Sequence, residues 1–185
     1  VKPGAWSDIA CLSFDPTKIV GAFGSGGAVV TRDRSLAETV TRLRYHGKNA
    51  SGLFQEVGLN SQMASVQAAL LDVKLNHMDD WIARRKDIAA RYTAVLDELL
   101  GVSPPNQSSD SSHVFHKYVL ETNKWRDQAR QHLTDRGVST AIHYDRPLHR
   151  QPIFERLLAP GHELPRVDHA ADTVLSLPIY PEMTD

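Results

Sequence analysis

The 185 residues carry 21 basic and 22 acidic side chains, and this balance excludes the basic excess typical of nucleic-acid-binding proteins. Hydrophobic residues make up 41% of the chain, as in ordinary globular proteins, and no apolar run is long enough to span a bilayer. We therefore expect neither nucleic acid nor a membrane as a partner. The single cysteine, Cys11, cannot form an internal disulfide; its apolar neighbours predict a buried strand residue, compatible with a reducing cytoplasm.

The first predicted elements are two short apolar strands, at 9–14 and 27–31, separated by a glycine-rich turn. The first strand brings Ser13 and Lys18, five positions apart, to the start of that turn. A lysine amine forms Schiff bases with carbonyl compounds, including pyridoxal phosphate, and a nearby hydroxyl can donate to a phosphate oxygen. The glycines let the backbone pass close to a bulky ligand. The residues alone leave open whether Lys18 binds a cofactor or is an ordinary solvated lysine.

Two other glycine-rich motifs are excluded at this turn. The pattern GxxxxGK[ST] of a phosphate-binding loop does not occur in it. The run Gly24-Ser25-Gly26-Gly27 leads into a strand, whereas the dinucleotide-binding fingerprint leads into a helix.

The middle of the chain is predicted to be mainly helical. Ser35 and Glu38 have the spacing of a capping box, and the helix that they begin should end near Gly47. A loop is predicted at 48–60, followed by a long helical region from 61 to about 100 with a bend near Asp79-Asp80. The two apolar stripes of that region are Met63, Val66, Leu70 and Val73, and then Ile88, Tyr92, Val95 and Leu99.

The last third of the chain predicts a small α/β unit after a linker. Residues 103–112 are rich in proline and small polar side chains, which cannot supply a core. The elements predicted after this linker are a strand at about 114–121, a helix at about 125–136, a strand at about 138–143 and a short helix at about 167–174.

Seven blocks of the chain resemble, in order, the motifs of one enzyme family. They are Ser13-Phe14-Asp15-Pro16-Thr17-Lys18 with Gly24–Thr31, Arg44-Tyr45-His46-Gly47, Gly58-Leu59-Asn60-Ser61-Gln62-Met63, Gln67–Leu70, Arg84–Tyr92, His143-Tyr144 with Pro147-Leu148-His149 and Gln151-Pro152, and Leu177-Pro178-Ile179-Tyr180-Pro181. The family is that of the DegT/DnrJ/EryC1/StrS sugar aminotransferases, and the resemblance covers the whole chain.

The resemblance implies an α/β fold, that of a fold-type-I pyridoxal phosphate (PLP)-dependent transferase, and a chain that is the C-terminal half of a longer protein. Residues 1–60 would be the C-terminal part of the PLP-binding large domain, 61–102 a bridging helical segment, 103–112 a linker and 113–185 the small C-terminal domain. The implied reaction is PLP-dependent transfer of an amino group, usually from glutamate, onto a keto group of a nucleotide-activated sugar. The implied partner is an identical subunit, because the active sites of the resembled enzymes are shared across a dimer.

The resemblance also implies roles for individual residues. Lys18 would carry PLP and move the proton, and a lysine at this position argues against sugar 3-dehydration, for which related enzymes have histidine. Ser13 would bind the PLP phosphate, and Asn60 would reach across the dimer to the phosphate in the partner's site. His143 and Tyr144 would contact the sugar. Gln62 stands where the family commonly has arginine, so the charge and the bidentate fork of that side chain are lost.

Plainer explanations exist for several of these residues. Ser13 could be a core serine, Asn60 an Asx-turn or cap residue, and the pair His143-Tyr144 a strand end with a packed aromatic ring. A metal cluster of His113, His116, His143 and His149 is disfavoured, because the spacing is not diagnostic and no cysteine supports it. We expect no metal site. The alternative to an enzyme is a non-catalytic interaction or assembly module on the same fold, since the family's aspartate for the pyridine nitrogen lies before the lysine.

Overall fold

A computed structural model describes residues 4–109, 111–157 and 163–184. Residues 1–3, 110, 158–162 and 185 lie outside the described residues. They belong to the predicted segments 1–60, 103–112 and 113–185. The chain divides into two compact units, Val1–Asp80 and Trp81–Asp185. The elements, in chain order, are β1 (Ile9–Ser13), β2 (Gly27–Thr31), α1 (Arg34–Leu43), α2 (Ser65–Leu75), α3 (Met78–Leu96), β3 (Val102–Ser103), β4 (Tyr118–Thr122), α4 (Arg126–Thr134), a 3₁₀ turn (Leu148–Arg150), α5 (Pro152–Glu155), α6 (Pro165–Thr173) and β5 (Val174–Leu177).

In the first unit, β1 and β2 form an antiparallel pair whose register runs from Ile9 opposite Thr31 to Ser13 opposite Gly27. The two predicted strands are therefore confirmed. Cys11 is exposed on β1, so the prediction that it is buried is wrong. Side chains on a strand alternate between two faces, and Ile9, Cys11 and Ser13 share the more exposed face of β1. Apolar composition predicted the strand correctly, but it does not tell which face is covered.

Helix α1 begins at a cap that differs from the predicted one. Asp33 is the N-cap residue, and its carboxylate accepts hydrogen bonds from the backbone N–H groups of Ser35 and Leu36 at 2.7 and 3.2 Å. The Ser35 hydroxyl donates to the same carboxylate, and these bonds lower the pKa of Asp33. A capping box that begins at Ser35 is therefore wrong, because Ser35 already lies inside the helix. The helix ends at Leu43, a little before Gly47.

The helical region after residue 61 is interrupted once, between α2 and α3. The interruption lies at Asn76 and His77 rather than at Asp79-Asp80, which belong to the first turn of α3. The Asn76 side chain donates to the backbone oxygen of Asp72 at 3.1 Å and so caps the end of α2. On α2 the buried residue is Leu71, with 4% exposure, whereas Val66 of the predicted stripe is 67% exposed.

The second unit has a three-stranded antiparallel sheet in the order β3–β4–β5 and a core against it. The core consists of Ile88, Ala89, Phe115, Tyr118 and Ile179. The buried Arg85 guanidinium links two members of this core by donating to the backbone oxygens of Phe115 and Ile179 at 3.1 and 2.8 Å. Burial lowers the pKa of Arg85.

Two strand predictions in the second unit differ from the structure. The strand predicted at 138–143 is wrong, because only Ala141 pairs, in an isolated bridge with Ser176. Strand β5 was not predicted, since it follows α6 directly, with no glycine, proline or other turn residue to separate them.

Candidate cofactor and substrate site

Lys18 lies on a closed turn between β1 and β2. The turn is held at its base by the N–H groups of Phe14 and Ala22, which donate to the backbone oxygens of Gly26 and Phe14 at 2.9 Å. Inside it, Lys18 N–H donates to the Asp15 oxygen at 2.9 Å, so the backbone of the lysine is fixed. The Lys18 side chain is half-buried. These hydrogen bonds thus fix the backbone from which one primary amine extends.

Gly21 is required for the tight path of this turn. A Cβ at position 21 would lie 2.5 Å from the Pro16 backbone oxygen, which is inside van der Waals contact. Because the opposing atom is backbone, it cannot move aside as a flexible side chain could. The glycine-rich composition therefore serves the close passage of the chain over itself at the turn.

Ser13 is the last residue of β1 and enters the same turn. Its side chain is exposed, and its Oγ accepts one long hydrogen bond, 3.3 Å, from the Asp15 N–H. Within the residues that the structure describes, the Ser13 hydroxyl donates no hydrogen bond. This hydroxyl is accordingly available to an acceptor such as a phosphate oxygen.

Helix α2 holds the glycine-rich turn from the side. Gln67 Oε1 accepts from the Phe23 N–H at 3.0 Å, and Lys74 Nζ donates to the Gly21 oxygen at 2.6 Å. The Lys74 ammonium also lies 4.4 Å from the centre of the Phe23 ring. Sequence reasoning missed both residues. The sequence signal that could have indicated them is their separation of seven residues, which places two long polar side chains on one helix face, two turns apart.

Asn60 lies on a segment that pairs with the end of α1. Leu59 N–H donates to the Leu43 oxygen at 2.7 Å, and Ser61 N–H donates to the Arg44 oxygen at 2.9 Å. Asn60 itself forms an isolated bridge with Tyr45, and its side chain is exposed. The position of Asn60 is therefore fixed by backbone pairing rather than by its own amide.

Two glycines permit that pairing. A Cβ at Gly47 would lie 1.8 Å from the Glu56 oxygen, and a Cβ at Gly58 would lie 2.1 Å from the Gly47 nitrogen. Gly47 also has φ +74°, a conformation that favours glycine.

Gln62 lies beside Asn60, and its Nε2 reaches Asn60 Oδ1 at 3.5 Å, the limit for a hydrogen bond. It lines a cleft of the first unit together with Arg44 and Lys48. The two other arginines of this cleft are in ion pairs, Arg34 with Glu38 and Arg42 with Glu56, both at 2.9 Å. The position where the family commonly has arginine is therefore neutral in this chain, but it has cationic neighbours.

His143 and Tyr144 belong to the second unit. His143 Nδ1 lies 2.8 Å from the Oγ of Ser176, and the imidazole is half-buried. Burial lowers the pKa of His143, and the charge of Lys117 lowers it further. The Tyr144 ring is 73% exposed and stands edge-on to the imidazole, with 5.4 Å between ring centres. Sequence reasoning missed Ser176, because its burial and its contact with His143 depend on strand β5, which was not predicted.

The other histidines of the disfavoured metal cluster have contacts of their own. His113 Nδ1 accepts from the Phe115 N–H at 2.9 Å, and His149 Nε2 lies 3.1 Å from Asp168 Oδ1. Among residues 4–109, 111–157 and 163–184, no group of three histidine, cysteine or acidic side chains is arranged to hold a metal ion. Nor does this part of the chain contain a helix with the length and hydropathy to cross a membrane.

The structure thus brings Ser13 and Lys18 together on one turn and places Asn60 in the same unit on a separate segment. His143 and Tyr144 lie in the other unit. The roles assigned to these five residues remain predictions.

Comparison with known proteins agrees with the motifs. A dTDP-3-amino-3,4,6-trideoxy-alpha-D-glucose transaminase of Streptomyces venezuelae is 41% identical over 180 residues, which are 97% of this chain and 47% of that protein. The crystal structure of S. venezuelae DesV in complex with a ketimine intermediate superposes with a TM-score of 0.93 at 40% identity, over 99% of this chain and 49% of that one. NtdA of Bacillus subtilis, with bound cofactor PMP, gives a TM-score of 0.87 at 30% identity, over 97% of this chain and 43% of that one.

These solved relatives agree with the mixed α/β content of the chain. The chain spans about half the length of the relatives that it matches. The family model described as the DegT/DnrJ/EryC1/StrS aminotransferase family matches residues 2–185. The chain therefore belongs to the DegT/DnrJ/EryC1/StrS aminotransferase family.

Proposed function

We propose that this chain is the C-terminal half of a PLP-dependent aminotransferase that transfers an amino group from glutamate onto a keto group of a nucleotide-activated sugar. The observation that carries the proposal is the turn at Lys18, where the backbone of the lysine is fixed by a hydrogen bond and Ser13, at the start of the same turn, has an available hydroxyl. Membership of the family supports the reaction type. The names of related transaminases that act on dTDP- and UDP-sugars support the substrate class.

The functional groups of Lys18, Ser13 and Asn60 are of the kinds that can hold PLP. The amine of Lys18 suits an aldehyde, and the Ser13 hydroxyl suits a phosphate oxygen. The exposed amide of Asn60 can donate to the same kind of group from a partner subunit. When bound, PLP supplies an electron sink for the negative charge that develops on the reacting carbon.

Lys18 has two tasks in this proposal. Its Nζ would hold the cofactor, and as a free amine it would take up and return the proton that moves during transamination. His143 and Tyr144 bind the sugar. Gln62 carries no charge. The positive charge in the cleft that it lines comes instead from Arg44 and Lys48. The family match and the names of the related transaminases favour an enzyme over a non-catalytic interaction module.

We further propose that the fold is that of a fold-type-I transferase and that the protein works as a homodimer in the cytoplasm. The first unit would end the large PLP-binding domain, and the small C-terminal domain would begin near 113. The loop before Asn60 exposes a group of large apolar side chains, which suits an interface with a second copy: Leu53, Phe54, Val57 and Leu59. An unpaired Cys11 suits a reducing compartment.

The deciding experiment is chemical trapping in the full-length protein. Borohydride reduction of the PLP-loaded enzyme should place a phosphopyridoxyl group on the peptide that contains Lys18. Lys48 and Lys74 serve as internal controls, and a label on either of them would overturn the assignment.

The matching variant is Lys18→Ala. It should still bind PLP without a covalent bond, but turnover with glutamate and a keto-sugar nucleotide should fall by at least about 10²–10⁴, because the proton carrier is gone. Retention of most of the turnover would contradict the role of Lys18. Absence of amino transfer in the unmodified enzyme with every keto-sugar nucleotide tested would contradict the substrate class.

A further inference from the structure

A buried serine hydroxyl contacts the Nδ1 of His143. Ser176, in β5, is 3% exposed, and its Oγ lies 2.8 Å from the Nδ1 of His143. The backbone of Ser176 also exchanges two hydrogen bonds, of 2.7 and 3.1 Å, with Ala141, two residues before His143. The same residue of β5 therefore fixes both the segment that carries His143 and one nitrogen of its ring.

We propose that Ser176 is a positioning residue that fixes the ring of His143 in the tautomer with its hydrogen on Nε2, from which that hydrogen is donated to an oxygen of the nucleotide sugar. This inference rests on the proposed function, because it takes the sugar as the ligand of His143.

The direction of the bond between Ser176 and His143 follows from the accounting of buried polar groups. A hydroxyl can donate or accept, and within the described residues Ser176 Oγ has no second hydrogen-bonding partner. If Oγ only accepted, its own hydrogen would be buried without an acceptor, which is unfavourable. If Oγ donates to Nδ1, both groups are satisfied. Nδ1 is then the acceptor nitrogen of the ring.

The state of the other ring nitrogen follows from this assignment. A neutral imidazole carries one hydrogen, so when Nδ1 accepts, the hydrogen is on Nε2. Burial and the nearby Lys117 charge both lower the pKa of His143 and so favour the neutral ring. In the described part of the chain, Nε2 has no hydrogen-bonding partner. It is consequently a donor with a fixed direction that no acceptor in the described residues uses.

The ring can be observed directly by nitrogen NMR of the full-length protein labelled with ¹⁵N-histidine. A His143→Gln variant assigns the signals of His143 among the nine histidines of the chain. In the unmodified protein, Nδ1 should be unprotonated and Nε2 protonated. A hydrogen on Nδ1 would overturn the proposal. In Ser176→Ala, the signals should shift toward a mixture of both tautomers, and an unchanged spectrum in this variant would equally overturn it.

Steady-state kinetics then separate positioning from a general loss of structure. Ser176→Ala should raise the KM for the nucleotide sugar by about three- to tenfold, as expected for one disordered hydrogen bond, and leave the KM for glutamate unchanged. The matched control is Thr122→Val, which removes a buried hydroxyl that donates to the Thr173 oxygen at 2.9 Å in the same sheet. An equal rise of the sugar KM in the control, or no rise in Ser176→Ala, would contradict the proposal.

If Ser176→Ala does not fold, Ser176→Cys keeps a similar size with a weaker donor, and it should give an intermediate shift of the ring signals and of the sugar KM. If the unmodified enzyme transaminates no nucleotide sugar, the proposed function fails, whereas the ring spectrum still decides whether Ser176 sets the tautomer of His143.

Discussion

At the scale of single residues, Asp168 on α6 shows how a carboxylate ties a loop to a helix. Its two oxygens accept hydrogen bonds from Arg150 Nε and Nη2 at 3.2 and 3.1 Å, and His149 Nε2 lies 3.1 Å from Oδ1. The hydrogen bond from Arg150 is the main reason that the pKa of Asp168 lies below its ordinary value of 3.8. His149 and Arg150 come from the segment that follows the His143-Tyr144 pair, so this contact anchors that segment.

The lowered pKa of Asp168 gives a pH-dependent contribution to stability with a definite sign. A carboxylate with a lowered folded-state pKa stabilises the protein fully above its unfolded-state value, and this stabilisation is lost as the pH falls through the folded-state value. The difference in free energy of unfolding between the unmodified protein and Asp168→Asn should therefore be constant near neutral pH. Below the ordinary value of 3.8, the difference should shrink.

Urea unfolding of both proteins from neutral pH down to acid measures this difference. Asp145→Asn, a substitution in the exposed loop before Arg150, is the control and should unfold in parallel with the unmodified protein. A difference for Asp168→Asn that grows as the pH falls would contradict a lowered pKa for Asp168.

The candidate site residues differ in how far the sequence alone could identify them. Ser13 and Lys18 are five positions apart on one turn, so their association is local and was predictable from the motif. Ser176 is 33 positions from His143, and its role depends on the pairing of β5 with Ala141. Such a contact is fixed by tertiary structure, and no spacing rule in the sequence points to it.

At the scale of secondary-structure elements, the loop after α1 contains backbone segments that pass very close to one another. Gly47 and Gly52 lie in the same loop and have similar φ values, +74° and +80°. They differ in surroundings, since a Cβ at Gly47 would overlap the Glu56 oxygen whereas a Cβ at Gly52 would meet nothing within 4 Å.

This pair of glycines separates steric overlap from backbone strain. Gly52→Ala should cost about 1–2 kcal/mol of unfolding free energy, because alanine disfavours positive φ. Gly47→Ala should cost about 2–5 kcal/mol, because overlap in a packed site adds to the same strain. Urea denaturation of the full-length variants measures both values. Equal costs would mean that the loop can move away from the new methyl group.

The elements themselves were predictable where the pattern was strong. The strands Ile9–Ser13 and Gly27–Thr31 follow from apolar runs with glycines between them, and their positions are confirmed. The break between α2 and α3 was misplaced by about three residues, because neither Asn76 nor His77 is a strong helix breaker. Strand β5 was missed because only its pairing with β4 distinguishes it from the end of a helix.

At the scale of the whole molecule, the first unit has little to cover its sheet. The pair β1–β2 is a two-stranded sheet, and Ile9, Val29 and Val30 on it are 40%, 42% and 38% exposed. A two-stranded pair is marginal without further strands or helices against its faces.

Residues 1–185 produced on their own should therefore show a broad thermal transition, bind a hydrophobic dye and hold PLP weakly. The second unit has its own core, so a part of the signal should melt separately. Differential scanning calorimetry beside the full-length protein measures this. One sharp transition together with a stable covalent bond between Lys18 and PLP in the short chain would contradict the expectation.

The proposal that two subunits share each active site gives a second prediction at this scale. Protomers with Lys18→Ala and protomers with Asn60→Ala should each be inactive alone, but in a mixed dimer both changes should fall in one site and leave the other site complete. Part of the transaminase activity should therefore return on mixing.

The control for this mixing experiment is Lys18→Ala with Ser13→Ala. Both residues belong to one turn of one subunit, so every site of the mixed dimer carries a change and no activity should return. If the Asn60→Ala mixture behaves like this control although mixed dimers form, Asn60 does not act on its partner's site.

The hydrogen bonds from α2 to the glycine-rich turn have a consequence for protein design. Gln67 and Lys74 fix the Phe23 nitrogen and the Gly21 oxygen from 44 and 53 residues further along the chain. The shape of the Lys18 turn is therefore encoded partly by α2, on which these two residues lie about two turns apart. A graft of residues 13–26 into another scaffold would carry the amine and the glycines but leave behind the side chains that hold them. The transferable module is the turn together with the helix.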